Sequence, residues 1–573
     1  MLRNKIERGK LLVKQQGVMR TAAYYIGKKA REKAFLEEVR KYHIYPEAVL
    51  EQQRQKTFPF NPCISIVTPL YNTPQNFLEE LLVSVQKQTY PNWELCLADG
   101  SDDEHRNVRE CCEKYAKQDS RIKYKKLENN EGIVGNTNQC LKFVTGDYIG
   151  LLDHDDLLHP AALYEVVQEI QKGADFIYTD EMKFKDNIQD STDIVCKSGF
   201  GKDELRSHNY ICHFVVFKKE LLSGMTQLYR QECEGSQDYD MVLRLTEKAR
   251  KIVHIPKMLY YWRVHQGSVS MDLSVKQYAV DAAKRAIQDH LVRENERGNI
   301  SSNLPYQTIY RIKYDLKETP LVTVVLWGER TGKELYLHIR EVLKKTRYQK
   351  LEIVTSCDLN GMNMDDENVK IISVKKETGE SIYSWFNRVY DGTHGKYLLY
   401  LNDQCIPETE DWIEELLMFA QRKDVCAVSP QINYKNQKIY FAGAVLDKDE
   451  ECGIHVLNYN RYQNEEGYEA NLKHVKNTTL VSAVCMMVSR EKIEKLSGYD
   501  LDMQDYGDAD LCLRGREHGE WNVWTCFAQI KYNGKEDIYL HWKNDGEFRK
   551  KWKDKFSVQD EYYHPFLKQL RKI

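Results

Sequence analysis

GDYIGLLDHDDLLHP, residues 146–160, is a short apolar run that ends abruptly in Asp153, Asp155 and Asp156. Three carboxylates within four positions repel one another, and a folding core gains nothing from charge placed there. A second stretch, GKYLLYLNDQCIP at 395–407, has the same shape, with Gln404 standing where the first copy has Asp155. A strand that delivers acid to its carboxyl end, twice in one chain, places the chemistry at the ends of strands in an α/β sheet.

Reading outward, the segments around both stretches alternate between strand and helix signals. CISIVTPLYN (63–72) is a β-branched run closed by Pro69 and Asn72, and FLEELLVSVQKQTY (77–90) carries Phe77, Leu81, Leu82 and Val85 at helical spacing. WELCLADGSDD (93–103) is a strand ending in a polar turn, followed by the helical VRECCEKYAKQ. LVTVVLWGERT at 321 repeats the first of these, KTRYQKLEIVTSCD the third, and GDADLCLR (507–514) echoes QDYDMVLR (237–244). The expected fold is therefore α/β, with two tandem Rossmann-like units built on mainly parallel sheets. Their expected spans are 61–300 and 318–573, joined around ERGNISSNLP and preceded by a basic helical segment over 1–60.

Bulk properties narrow the class. The 573 residues suffice for two or three domains, and 42% hydrophobic with 29% charged residues is an ordinary globular balance. A net charge of -3 argues against a nucleic-acid binder. Fifteen cysteines without a C-x-x-C pair suit a reducing compartment. The chain shows no apolar run long enough for a bilayer, so a cytoplasmic protein is expected. Over residues 1–45 basic side chains outnumber acidic ones about three to one and are interleaved with Leu11, Leu12, Met19, Tyr24, Tyr25 and Ile26. Such a segment suits either the inner face of an anionic plasma membrane or a solvated arm.

Asp153 and Asp155 offer hard oxygen ligands for Mg²⁺ or Mn²⁺, held together with phosphate oxygens. The plainer alternative is that Asp155 or Asp156 caps the following helix. At the first two strand ends, Pro69, Tyr71 and Asn72 bring backbone near a base, and Asp99 and Asp102 suit base N–H and ribose hydroxyls. NEGIVGNTN adds Gly132, Gly135 and Asn138 for close packing over a nucleotide. Asp238 before a helical run is either an N-terminal cap or a general base. Arg263 in LYYWRVHQGSVS suits a diphosphate clamp, and His265 a phosphate contact, a third metal ligand or a structural histidine. Asp180 and Glu181 in FIYTDE suit sugar hydroxyls, while His213 in NYICHFVVF has no firm role.

TPLYN, ADGSDD, NEGIVGNTN, LLDHDD, YTDE, QDYDMVLRL and YYWRVHQGS, in this order, resemble the nucleotide-sugar glycosyltransferases of family 2, which have the GT-A fold. The resemblance covers nearly all of residues 62–270. The second half is similar to the companion domain of bacterial two-domain members linked to O-antigen, rhamnan and other cell-surface polysaccharides. It implies a metal-dependent, inverting transfer from a UDP- or dTDP-sugar to a saccharide acceptor, often lipid-linked. On it, Asp99 matches the nucleotide-contacting aspartate, Asp153 and Asp155 the D-x-D pair with Asp155 the direct metal ligand, and Asp238 the base. ADGSDD departs from the family's two adjacent aspartates before Gly-Ser, which leaves Asp99 and Asp102 sharing that task.

The second unit keeps Asp508 as the counterpart of Asp238, and Asn402 and Asp403, but has Gln404 for the metal-binding aspartate. A neutral amide is a poor ligand for Mg²⁺ or Mn²⁺. The unit is therefore expected to be inactive and to serve acceptor binding or architecture. The alternatives are a bifunctional transferase with both units active and a non-catalytic sugar or sugar-nucleotide binding protein. A nucleotidyltransferase would need a Gly- and Lys/Arg-rich loop that TPLYNTPQ does not offer.

Overall fold

The structure is a computed structural model that describes residues 9, 10, 12–14, 17–191, 193–265, 277–359, 369–534, 542, 543 and 545–570. Leu11 of the basic segment and the QGSVS that follows His265 lie outside the described residues. In the first half the strands are β1 (Ile64–Leu70), β2 (Trp93–Asp99), β3 (Ile122–Lys126), β4 (Tyr148–Leu151), β5 (Leu157–Leu158), β6 (Phe176–Phe184), β7 (Asp193–Val195), β8 (Val215–Lys218) and β9 (Ile252–Arg263). They form one sheet in the order β3-β2-β1-β4-β8-β6-β9-β5, with β7 on β6. Every residue of β1 and of β2 is buried, as strands covered on both faces require.

Six of the nine strands share one direction, and three run against it. β3-β2-β1-β4 and β6-β9 are parallel, whereas β4-β8, β8-β6, β6-β7 and β9-β5 are antiparallel. β8 is reversed between β4 and β6, and its apolar run looks alike in either direction, so its composition gave no warning of the reversal.

The second half builds a ten-stranded sheet in the same spatial order. Its corresponding strands are Lys370–Ser373, Leu351–Thr355, Val322–Trp327, Tyr397–Asn402, Cys485–Ser489, Val425–Tyr434, Trp521–Tyr532 and Cys405–Pro407. The repeat extends to buried polar pairs. Ser65 Oγ donates to Glu94 Oε1 over 2.6 Å, and Thr323 Oγ1 donates to Glu352 Oε1 over 2.6 Å, both across the first two paired strands. A side chain on Gly146 would strike Ser65, and one on Gly395 would strike Thr323, which explains why both strand stretches begin with glycine. Arg244–Asp240 (2.8 Å) and Arg514–Asp510 (2.7 Å) repeat in the same way.

The stretch expected to join the halves carries a small antiparallel pair, Gly298–Ser301 with Arg311–Tyr314. The halves also bury polar contacts against each other. Arg422 forms an ion pair with Asp203, and Asn477 Nδ2 donates to the other oxygen of Asp203 over 2.9 Å. His564 reaches Asp180 over 2.7 Å, and the Gly199 amide donates to the Glu561 carbonyl over 2.7 Å. The N-terminal region contains helices Val18–Tyr42 and Glu47–Gln55. The second is fastened to the first sheet layer by Thr89 Oγ1 donating to Gln53 Oε1 over 2.9 Å. All fifteen cysteines are free thiols.

Candidate active site

Parallel strands β1, β2 and β4 end at one edge of the first sheet, and their terminal turns are tied together by side chains. Asn72 takes a left-handed backbone (φ 49°) just after β1. Its amide N–H donates to Ser101 Oγ over 2.8 Å, its Nδ2 to Asp102 Oδ2 over 2.7 Å, and its Oδ1 accepts from the Asp102 N–H over 3.1 Å. Asp99 is fully buried and accepts from the Ser101 N–H (2.8 Å) and the Tyr124 hydroxyl (2.7 Å). Asp102 is instead exposed and holds His105 at 2.6 Å. Pro69 lies buried within β1, while Tyr71 is exposed beyond it. Gly132 opens the helix Gly132–Cys140 with φ 70°, a conformation suited to glycine.

Asn138 does not face this edge. Its Oδ1 accepts from the amides of Leu228 and Tyr229, each at 3.1 Å, and its Nδ2 donates to the Tyr229 carbonyl over 2.9 Å. It fastens a loop, which corrects the expectation of a nucleotide contact.

Beyond β4 the acidic turn divides its carboxylates among different partners. Asp153 has a side chain 52% exposed and lies 3.5 Å from His213 Nε2. Asp155 Oδ2 lies 2.8 Å from His265 Nε2. Between them, His154 Nδ1 meets Thr73 Oγ1 at 2.7 Å, joining this turn to the one after β1. Asp156 is buried, accepting from the Tyr260 hydroxyl (2.6 Å) and the Arg263 amide (2.7 Å). Burial, with Asp155 and Asp153 nearby, holds its carboxyl well above the usual range. It does not cap the next helix, whose N-cap is Ala161. Ligand atoms of Asp153, Asp156 and His213 lie within 4.8 Å of one another. Asp156 is engaged by Tyr260 and Arg263, and His213 by two carboxylates. The donors left for a divalent ion such as Mn²⁺ or Mg²⁺ are the Asp155 carboxylate with the His265 imidazole beside it and the exposed Asp153 carboxylate, oxygen and nitrogen groups of the kind such an ion takes.

Three residues expected at the ligand are support instead. Arg263 is buried, with its guanidinium over the Phe77 and Phe184 rings at 4.3 and 4.6 Å. It donates to the Asp155 carbonyl over 2.8 Å and pairs with Glu80 at 2.5 Å, so it braces the acidic turn rather than presenting a fork to a diphosphate. Asp180 is fully buried between His254 (2.8 Å) and His564 (2.7 Å). Burial opposes its ionisation, but the two imidazoles win and lower its carboxyl. Glu181 pairs with Lys197 (3.0 Å) and His213 (3.3 Å). Against the cost of burial, these cations lower it to about 2. Both carboxylates are thus engaged by cationic or imidazole side chains of the protein.

His213, to which the motif gave no firm role, and Lys197, which no motif marked, both take part here. His213 stacks on Tyr260 with ring centroids 4.9 Å apart and bridges Asp153 and Glu181. Burial disfavours its charge, yet the two carboxylates raise its pKa well above the ordinary value. Only the position of NYICHF before a strand hinted at this, because the partners come from other segments.

Asp238 lies in the first turn of the helix Gln237–Thr246, whose N-cap is Ser236. Asn209 Nδ2 donates to Asp238 Oδ2 over 3.0 Å. Burial raises its pKa above that of a free carboxylate and outweighs backbone hydrogen bonds and the nearby His213. A half-buried carboxylate with a raised pKa is suited to accepting a proton.

The corresponding edge of the second half is closed by its own side chains. Asp403 is buried, accepting from the Arg330 amide (2.6 Å) and Gln404 Nε2 (2.8 Å), while Arg330 Nε donates to the Asp403 carbonyl over 2.8 Å. Asp508 is fully buried and accepts from Trp542 Nε1 (3.0 Å), the Ala483 amide (2.8 Å) and the Ala509 amide (2.8 Å).

Comparison with known proteins gives this geometry a lineage. Residues 65–224 match the model of Glycosyl transferase family 2. The chain is 32% identical over 493 residues to the uncharacterized protein y4gI of Sinorhizobium fredii, covering 82% of this chain and 53% of that protein. It is 29% identical over 489 residues to the O-antigen biosynthesis protein RfbC of Myxococcus xanthus, covering 82% of this chain and 37% of that one. The chain thus spans about half or less of these relatives' lengths. Among solved structures, S. aureus TarS 1-349 in complex with UDP-GlcNAc aligns with a TM-score of 0.34 at 20% identity, over 40% of this chain and 66% of that one.

Proposed function

Because residues 65–224 belong to glycosyl transferase family 2, we propose that the first half of the chain transfers a sugar from a UDP- or dTDP-sugar to a hydroxyl of a cell-surface polysaccharide, inverting the anomeric centre. The observation that carries the reading is Asp238, a carboxylate raised by burial and oriented by Asn209.

In this reading the turns after β1 and β2 hold the nucleoside. Asn72 and Asp102 lock those turns together, and Asp99, expected at the nucleotide but fully buried under the Ser101 amide and the Tyr124 hydroxyl, sets their path from beneath. Asp155 and His265, with Asp153, would hold a divalent cation, which when bound offsets the charge that gathers on the departing diphosphate. Arg263 positions Asp155 through its carbonyl. His213, between Asp153 and Glu181, lies close to the same edge. Asp238 takes the proton from the acceptor hydroxyl as that oxygen bonds to the anomeric carbon. The bond from that carbon to the diphosphate oxygen breaks, and its electron pair leaves with the nucleoside diphosphate. One displacement without a covalent intermediate inverts the centre, as in single-step glycoside hydrolysis.

The second half, with Asp403 and Asp508 both caged, transfers nothing in this account. The tandem units take the spans 61–300 and 318–573. The acceptor is lipid-linked, and the basic helical region before residue 60 rests on the anionic inner face of the membrane, with Met19 and Ile26 exposed on it. No helix among the described residues is long and apolar enough to cross a membrane. Unchanged liposome flotation after removal of residues 1–45 would refute the surface role.

The test of the reading is release of UDP or dTDP from a panel of nucleotide sugars with Mn²⁺ and candidate acceptors. Release that disappears in both Asp155→Asn and Asp238→Asn supports it. Binding of nucleotide sugars without turnover of any of them refutes it.

A further inference from the structure

A cavity of about 560 Å³ opens between the halves, beside the candidate active site. Its first-half wall includes Glu181, Asn209 and Trp262, and its second-half wall includes Tyr459, His474 and Lys476. Two of these residues connect it to the chemistry. Glu181 is 3.3 Å from His213, and Asn209 is the donor that holds Asp238.

The lining has a feature that a packed interface avoids. His208 Nε2, Asn209 Oδ1, His474 Nε2 and Lys476 Nζ are all buried polar atoms without a hydrogen-bond partner, and all four residues face this one space. Native interiors rarely leave such atoms unpaired, and when several converge they mark a missing ligand or water. The His474 Nδ1 lies 2.9 Å from the Val475 carbonyl, to which it donates in the tautomer that leaves Nε2 as an acceptor. The set therefore offers an acceptor at Asn209, a strong donor at Lys476, and imidazole nitrogens. Trp262 lines the cavity from the first half and Tyr459 from the second.

Donors and acceptors interleaved with aromatic faces match a saccharide, whose hydroxyls both give and accept hydrogen bonds and whose C–H faces lie against rings. We propose that this cavity binds the acceptor saccharide, and that the second half supplies one wall of the acceptor site. The proposal rests on the transferase reading for the word acceptor, while saccharide binding itself can be measured without turnover. The size suits one or two sugar rings, within the usual volume of ligand pockets. The second half, with its own acidic edge closed, then serves the first as a recognition surface.

The experiment measures binding of the full chain to an array of rhamnose, glucose, galactose and N-acetylhexosamine oligosaccharides, followed by calorimetry on those retained. Wild type is expected to bind at least one class. Tyr459→Ala, on the partly exposed wall, and Lys476→Met, which keeps side-chain length, should each weaken binding tenfold or more at unchanged far-ultraviolet circular dichroism. Asp155→Asn should bind the same saccharide as wild type. Failure of the full chain to bind any of these saccharides at millimolar concentration overturns the proposal, as does binding that both cavity variants retain in full. Saccharide binding without nucleotide release from any donor leaves this site standing and overturns the transferase reading alone.

Discussion

Trp542 Nε1 donates to Asp508 Oδ1 over 3.0 Å, at the position in the second half that answers to Asp238 in the first. Two backbone amides complete the cage around Asp508. Asp508 is fully buried and accepts from three donors, as a structural anchor does, whereas its half-buried counterpart Asp238 accepts from Asn209.

Restoring the missing carboxylate of the second half should therefore achieve nothing. In Gln404→Asp, Arg330 still closes the edge by its contacts with Asp403. Transfer rates measured with a radiolabelled donor should stay within about twofold of wild type, since surface-level changes away from a site leave it intact.

Asp238→Asn should lower the transfer rate by roughly 10²–10⁴-fold, the usual worth of a positioned general base. Its effect on stability has the opposite sign. A carboxyl whose folded pKa is raised favours the folded state only below its unfolded pKa, and that stability is lost as pH rises through the folded value. At neutral pH the ionised group is therefore a burden, and the melting temperature of Asp238→Asn should equal or exceed wild type. The acid limb of the wild-type rate profile should likewise lie above the range of an ordinary aspartate.

Arg422 and Asp203 form a buried ion pair across the halves. Arg422→Ala leaves Asp203 buried with Asn477 as its neutral partner. Removing one member of such a pair costs about 3–5 kcal/mol. Urea titration should show an earlier unfolding transition, with Asp203→Asn in the same background recovering part of the loss.

Acid should destabilise the fold before ordinary carboxylates titrate. His159 is buried, its Nδ1 accepting from the Ala161 amide (3.0 Å) and its Nε2 within 2.8 Å of the His43 carbonyl, an arrangement that needs the neutral ring. Burial lowers it to about 4, and buried His338 is lowered to about 4 as well. For a histidine with a lowered folded pKa, stability is constant above the unfolded value near 6.5 and falls as pH drops toward the folded value. Each should forfeit on the order of 3 kcal/mol by pH 4. Melting temperatures should be flat above about pH 7 and decline from about pH 6.5, and the decline should be shallower in His338→Leu.

The α/β character and the repeat were legible because each half spells strand, helix and acidic strand end in order. The reversal of β8 was not, since a short apolar strand carries no mark of its direction. At the site, the turns after β1, β2 and β4 are short-range features and could be read locally. Asp180, Glu181, Arg263 and Asn138 misled because their partners are remote. His564 lies 384 positions from Asp180, and Glu80 lies 183 from Arg263. A carboxylate after a strand looks the same in sequence whether it meets a ligand or a buried histidine.

The most direct measurement compares Asp238→Asn with Asp508→Asn in the full chain, using the donor that wild type turns over and following both nucleotide release and the linkage formed. Asp238→Asn should abolish release and linkage together, while Asp508→Asn should form the same linkage at a rate set only by any loss of folded protein. A linkage that vanishes in Asp508→Asn, with the protein folded and Asp238 intact, would contradict it.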